Sequence, residues 1–128
     1  MSNRFLVPIL SFAFLTSAGP AGAHHSFAAE YDESKPLTLE GVVTRVDWEN
    51  PHVHFFVDVA GADGTVVNWV CETGGPTRLA RRGWTRDSLK PGDRVIVHGF
   101  PAKDASHAVD GRQVTLADGR KIGSGPSH

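Results

Sequence analysis

The sequence is poor in sulfur, with one cysteine, Cys71, and one methionine, Met1, in 128 residues. A lone cysteine cannot close an intrachain disulfide, so the fold must be held by its hydrophobic core. The same scarcity excludes a blue-copper centre of two His, one Cys and an axial Met, because Met1 lies in a segment that reads as a leader. An excess of one charge is also missing. There are 13 Lys and Arg against 14 Asp and Glu, a net charge of -1 with His neutral. General nucleic-acid binding, which draws on a basic excess, is not expected. Catalytic signatures are scarce too. There is no Gly-rich phosphate loop, no Cys-x-x-Cys pair and no nucleophile elbow around Ser26 or Ser88. Glu40, Glu49, Asp58 and Glu72 are scattered carboxylates whose spacing does not pair them for acid–base work. An enzyme is not expected.

Long apolar runs are absent except at the start. Arg4 is the one positive charge of a short opening segment, and residues 5–18 are rich in Phe, Leu, Val and Ile. Gly19-Pro20 then breaks any helix, and Ala21-Gly22-Ala23 supplies the small residues that a signal peptidase needs at its cleavage site. The apolar run is shorter than the roughly 20 residues of a membrane span. Residues 1–23 therefore read as a signal peptide cleaved after Ala23, which implies a periplasmic or secreted protein with no stable span after cleavage. Arg4 is the only charge lost with that leader, leaving 12 basic and 14 acidic residues. The mature chain would begin at His24, with a free α-amine beside an imidazole.

The remaining residues, about 105, suffice for one domain with one modest core. Residues 24–36 are polar and mixed and read as an N-terminal arm. Residues 37–48, rich in β-branched side chains, read as a long first strand bent at Gly41. Glu49-Asn50-Pro51 forms a turn. In residues 52–59, Val53, Phe55, Val57 and Val59 alternate with His52, His54, Phe56 and Asp58, the period of a strand with one apolar face. Gly61-Ala62-Asp63-Gly64 predicts a hairpin into a third strand over residues 66–72. Pro76 opens a short helix over 76–82 and Gly83 closes it. Further strands are expected over 94–100, over 112–116 after a loop around Asp110-Gly111, and over 120–122 after the Asp118-Gly119 turn. Residues 123–128 read as a flexible tail. Three strands, a helix, then two or three strands predict a mainly β fold over residues 37–122. The expected architecture is a small OB-like Greek-key barrel of five to six strands, with one short helix between strands 3 and 4.

Several motifs occur together in this order: His24-His25-Ser26-Phe27-Ala28, Asn50-Pro51-His52, Asn68-Trp69, Arg81-Arg82-Gly83-Trp84-Thr85, Leu89-Lys90-Pro91-Gly92-Asp93 and Asp118-Gly119-Arg120-Lys121. As a set they resemble a family of small exported bacterial proteins known only as a domain of unknown function. The resemblance covers nearly the whole mature chain. It implies an exported OB-like β domain and brings no activity, substrate or catalytic residue.

Function must then come from the residues. His52 and His54, two apart on a strand, share a face. His24, as a mature terminus, offers amine and ring together, and His25 offers a second arrangement around the same amine. Amine plus imidazole plus a further imidazole resembles the histidine brace of some copper proteins, and Cu(II) heads the divalent affinity order. His24, His25, His52 and His54 are therefore the candidate metal ligands, with copper the preferred cofactor. A metal-free reading stands beside it, in which these histidines are merely solvated. There the face of His52, His54 and Phe56, flanked by Trp48 and Trp84, holds a small molecule or a periplasmic protein, and Arg82 favours an acidic group, while core packing stands as the alternative role of each tryptophan. His98 joins the site only if its face coincides with that of His52. Cys71 alternates with Val67 and Trp69 and reads as a buried, inert thiol.

Overall fold

The computed structural model of the protein describes residues 30–125. The expected leader, His24, His25 and the end of the tail lie outside the described residues. In chain order the elements are β1 (Leu37–Asp47), β2 (His54–Ala60), β3 (Val66–Glu72), α1 (Pro76–Arg81), β4 (Arg94–Pro101), β5 (Ala108–Leu116) and β6 (Lys121–Gly123). The antiparallel sheet runs β3-β2-β1-β4-β5, and a parallel contact between β3 and β5 closes it into a five-strand barrel. β6 adds to β5 outside that ring. This is the mainly β, OB-like barrel that the element order predicts, with its helix between β3 and β4.

Alternation through β2 and the residues just before it decides what lies inside. Val53, Phe55 and Val57 are buried, and they pack with Val43 of β1, Val97 of β4, and Val109 and Val114 of β5. Removing side chains of this size from water contributes about 1.5–3 kcal/mol each. The loop between β2 and β3 sets their register. Gly61 and Thr65 bond across it at 2.8 Å, and Asp63 accepts from the Thr65 amide at 2.9 Å. His54 and Glu72 then fall opposite one another, equally far from Asp63.

β1 serves both halves of the barrel. Its first part pairs with β4 and its second with β2, and the register shifts between Val43 and Arg45. The irregularity thus lies beyond Gly41, where a bend was expected. Gly41 instead permits close strand packing, since a side chain there would run into the Asp58 carbonyl of β2.

Two expectations are corrected. Asp110-Gly111 is not a loop but the interior of β5, because Asp110 pairs with Glu72 on one side and Phe100 on the other. A β-bulge between His98 and Gly99 admits this pairing, and Gly99 is tight enough that a Cβ would strike the Asp110 carbonyl. The expected tail also begins too early. Gly123 ends β6, and Ser124 is buried, donating its hydroxyl to the Gly111 carbonyl and its amide to the Arg112 carbonyl at 2.9 Å.

The helix ends as Gly83 predicts. Gly83, at φ 89°, donates to the Ala80 carbonyl, and the Trp84 amide reaches back to Leu79, both at 3.0 Å. That reversal turns the Trp84 indole inward, where it is 3% exposed and donates Nε1 to the Gly123 carbonyl at 3.2 Å.

Candidate functional site

Outward-facing residues at one end of the barrel form a polar cluster. His54 of β2, Glu72 of β3 and Asp110 of β5 lie in one row across three strands. The ladder continues past β2, with Val53 and Thr73 bonded through their backbones at 3.0 Å, so His52 keeps the strand phase and shares the face of His54. Gly75 lets the Pro51 carbonyl approach the helix start, where a Cβ would stand 2.7 Å from it.

Glu72 is the centre of the cluster. Its Oε1 lies 2.7 Å from His52 Nδ1, and its Oε2 accepts the Tyr31 hydroxyl at 2.7 Å. His54 Nε2 stands further off, 3.9 Å from Oε2. The two imidazoles are half-exposed, edge to face, with centroids 6.5 Å apart. Because a carboxylate oxygen accepts at Nδ1, the neutral form of the His52 ring carries its proton there and its lone pair on Nε2.

The arm covers the side of this cluster. Tyr31 forms a β-bridge with Ala102, flanked by Asp32 bonding to Pro101 at 2.9 Å and Lys103 to Glu30 at 2.8 Å. Glu33 pairs with Arg112 at 2.9 Å, and Arg112 also binds the buried Asp110. Burial and the neighbouring carboxylate of Glu72 push the Tyr31 hydroxyl well above its usual range. A tyrosine that stays protonated is a standing donor to Glu72.

The structure brings together only some of the residues singled out from sequence. His52 and His54 are side by side. His24 and His25 lie outside the described residues. Phe56 is on the same outer face, but the Arg45 guanidinium lies 3.9 Å from its ring centre and covers it, while Arg45 also pairs with Asp47 at 3.0 Å. Trp84 does not flank the face, since the turn after the helix carries it into the core. Trp48 is partly buried and packs against that core. Arg82 is exposed at the far end of α1, its guanidinium over the Gly125 backbone. His98 pairs with Thr38 at 3.1 Å on β4 and does not join His52. His107 packs against Trp69 with ring centres 5.1 Å apart. Cys71 is fully buried, and desolvation raises its thiol to about 12, which makes it inert at neutral pH.

Sequence reasoning missed Glu72 as a partner and missed Tyr31, Glu33, Asp110 and Arg112 altogether. Glu72 was within reach of it, because a loop centred on Asp63 sets it opposite His54. The others carry no local signal, since closure of the barrel and docking of the arm bring them in. Among the described residues, no group of three or more His, Cys, Asp or Glu side chains is arranged to hold a metal ion. Among them also, no helix is long and apolar enough to cross a membrane.

The sequence model of a family of unknown function, DUF6152, matches residues 13–111 of this chain. No curated protein matches it.

Proposed function

The chain belongs to DUF6152, a family of unknown function, and we propose that it is an exported, periplasmic protein that binds Cu(II) and carries or buffers it. One observation supports this reading above others. Two imidazoles share an outward face, one of them oriented through Nδ1 by a carboxylate, at the place where the N-terminal arm docks. A carboxylate on the second ring nitrogen fixes the tautomer and raises the basicity of a ligating histidine.

His52 Nε2 and a nitrogen of His54 are two donors, and two do not hold a metal tightly. The third and fourth come from His24, through its α-amine and its ring, once the leader is cut after Ala23. His25 is the alternative ring donor. Six residues lie between His24 and Tyr31, and the seven steps of an extended chain span up to about 25 Å. The tether is long enough for His24 to come to the face beside Glu72. Nitrogen donors of this kind favour Cu(II) over the other divalent ions of the first row.

The test is native mass spectrometry of the full chain exported with its own leader, with and without Cu(II). The expected species begins at His24 and retains one copper ion. One extra residue placed ahead of His24 abolishes tight retention, as does His52→Ala. A mature mass that begins elsewhere, or copper lost as readily from the native chain as from the extended one, overturns the reading. The metal-free binding module is then the reading that survives.

A further inference from the structure

Glu72 has two oxygens, and both are engaged from different directions. Oε1 meets His52, on the turn into β2, and Oε2 meets Tyr31, in the arm. Tyr31 is 5% exposed, and its backbone is tied to Ala102 of the loop after β4. The hydroxyl therefore holds the carboxylate from a fixed point on the barrel wall. Without that bond the carboxyl group can turn about its terminal torsion, which is broad and only two-fold. It would then swing toward His54 Nε2, now 3.9 Å away, or toward solvent.

We propose that Tyr31 is a positioning residue for the ligand face: by holding Glu72 it keeps the proton of His52 on Nδ1 and presents Nε2 outward, so docking of the arm and readiness of the strand histidines are one event. The proposal rests on the metal-binding reading above for its purpose. Its geometry stands on the hydrogen-bonded series from Tyr31 to Glu72 to His52. Tyr31 touches no metal in this scheme and acts only through Glu72.

Tyr31→Phe removes the hydroxyl and keeps the ring, and the arm stays tied by its backbone bridge and by Glu33 to Arg112. The first readout uses metal-free protein. Long-range proton–nitrogen NMR of the full chain reports which nitrogen of His52 carries the proton. Wild type is expected to show the Nδ1-H form, and Tyr31→Phe a mixture of the two tautomers. Cu(II) affinity, measured by competition with a chelator, is expected to fall up to about 10-fold in Tyr31→Phe and about 10- to 100-fold in Glu72→Gln, the range of outer-shell partners. The double variant is expected to lose no more than Glu72→Gln alone, because both changes act on one linkage.

An unchanged His52 tautomer in Tyr31→Phe overturns the positioning role, even if His52→Ala abolishes copper binding and the metal reading stands. Additive losses in the double variant overturn it as well, and they do so if Tyr31→Phe proves too unstable for NMR but still binds the ion. Wild type that shows the Nδ1-H form yet retains no Cu(II) removes the metal reading, and the purpose proposed here with it.

Discussion

The two faces of β2 differ by one residue in sequence and by nearly everything in chemistry. On the inner face, Val53, Phe55 and Val57 pack in a dry core beside Cys71, whose thiol is driven up to about 12 by desolvation alone. On the outer face, His52, His54, Phe56 and Asp58 stay half-exposed, and each has a side-chain neighbour from another element: Glu72 beside both histidines, Arg45 over Phe56, and Asn68 on Asp58 at 2.8 Å. The inner face supplies the stability that holds the strand in register. The outer face inherits its positions from that register and is left free to carry polar chemistry. Stability and the candidate site therefore sit on alternate residues of one short strand and of the turn that leads into it.

The largest test of this division is Phe55→Ala. Truncating a fully buried phenylalanine costs about 3–5 kcal/mol, a large fraction of the stability of a domain this size. Denaturant unfolding should show that loss, and a cost under about 1 kcal/mol would mean that the core is not where the stability resides. The next effect is on pH dependence. Cys71 keeps its proton up to about 12 when folded, against an ordinary value of 9.0 when unfolded. Below pH 9 both states hold the proton and stability does not depend on it. Between 9 and 12 the unfolded chain releases the proton first, so stability falls as pH rises, by at most about 1.4 kcal/mol per pH unit. Tyr31, also raised from its ordinary value, adds in the same direction from about pH 10 upward. Cys71→Ala should flatten the alkaline limb from pH 9, and an unflattened limb would contradict a buried thiol.

Trp84→Phe tests the corrected placement of that residue. The lost hydrogen bond to Gly123 is worth about 1 kcal/mol, seen as a lower denaturation midpoint. A neutral outcome would return Trp84 to the surface. The smallest effect on stability belongs to the outer face. His52→Ala should change stability by about 1 kcal/mol or less, as the loss of one half-exposed hydrogen bond does, while removing Cu(II) retention altogether. A large loss of stability in that variant would erase the contrast between the two faces.

Much of this was legible in advance, and the reason is local. Period-2 alternation named the buried side of β2, since a one-residue slip would expose every apolar side chain. The third strand, the helix and its glycine stop also follow from local rules of turns and caps. The hairpin at Gly61–Gly64 follows from them too, but the pairing of His54 with Glu72 depends on the register that the structure shows. What failed has a common cause as well. Asp110-Gly111 carries a turn signal, and only pairing with β3 on one side and β4 on the other makes it strand. Trp84 follows a helix stop, and nothing in its neighbours says that the chain reverses inward. Phe56 reads as a ligand platform from sequence, and its cover, Arg45, comes from β1 across a shifted register.

The sequence alone determined which residues alternate, where the chain turns, and that two histidines share a face, because these depend on contacts between near neighbours. Only the tertiary structure decided that Glu72 lies between His52 and Tyr31, and that Asp110 is buried beneath the arm. Both depend on closing a barrel between strands far apart in the chain, where the gain from packing comes only after the cost in loop entropy has been met.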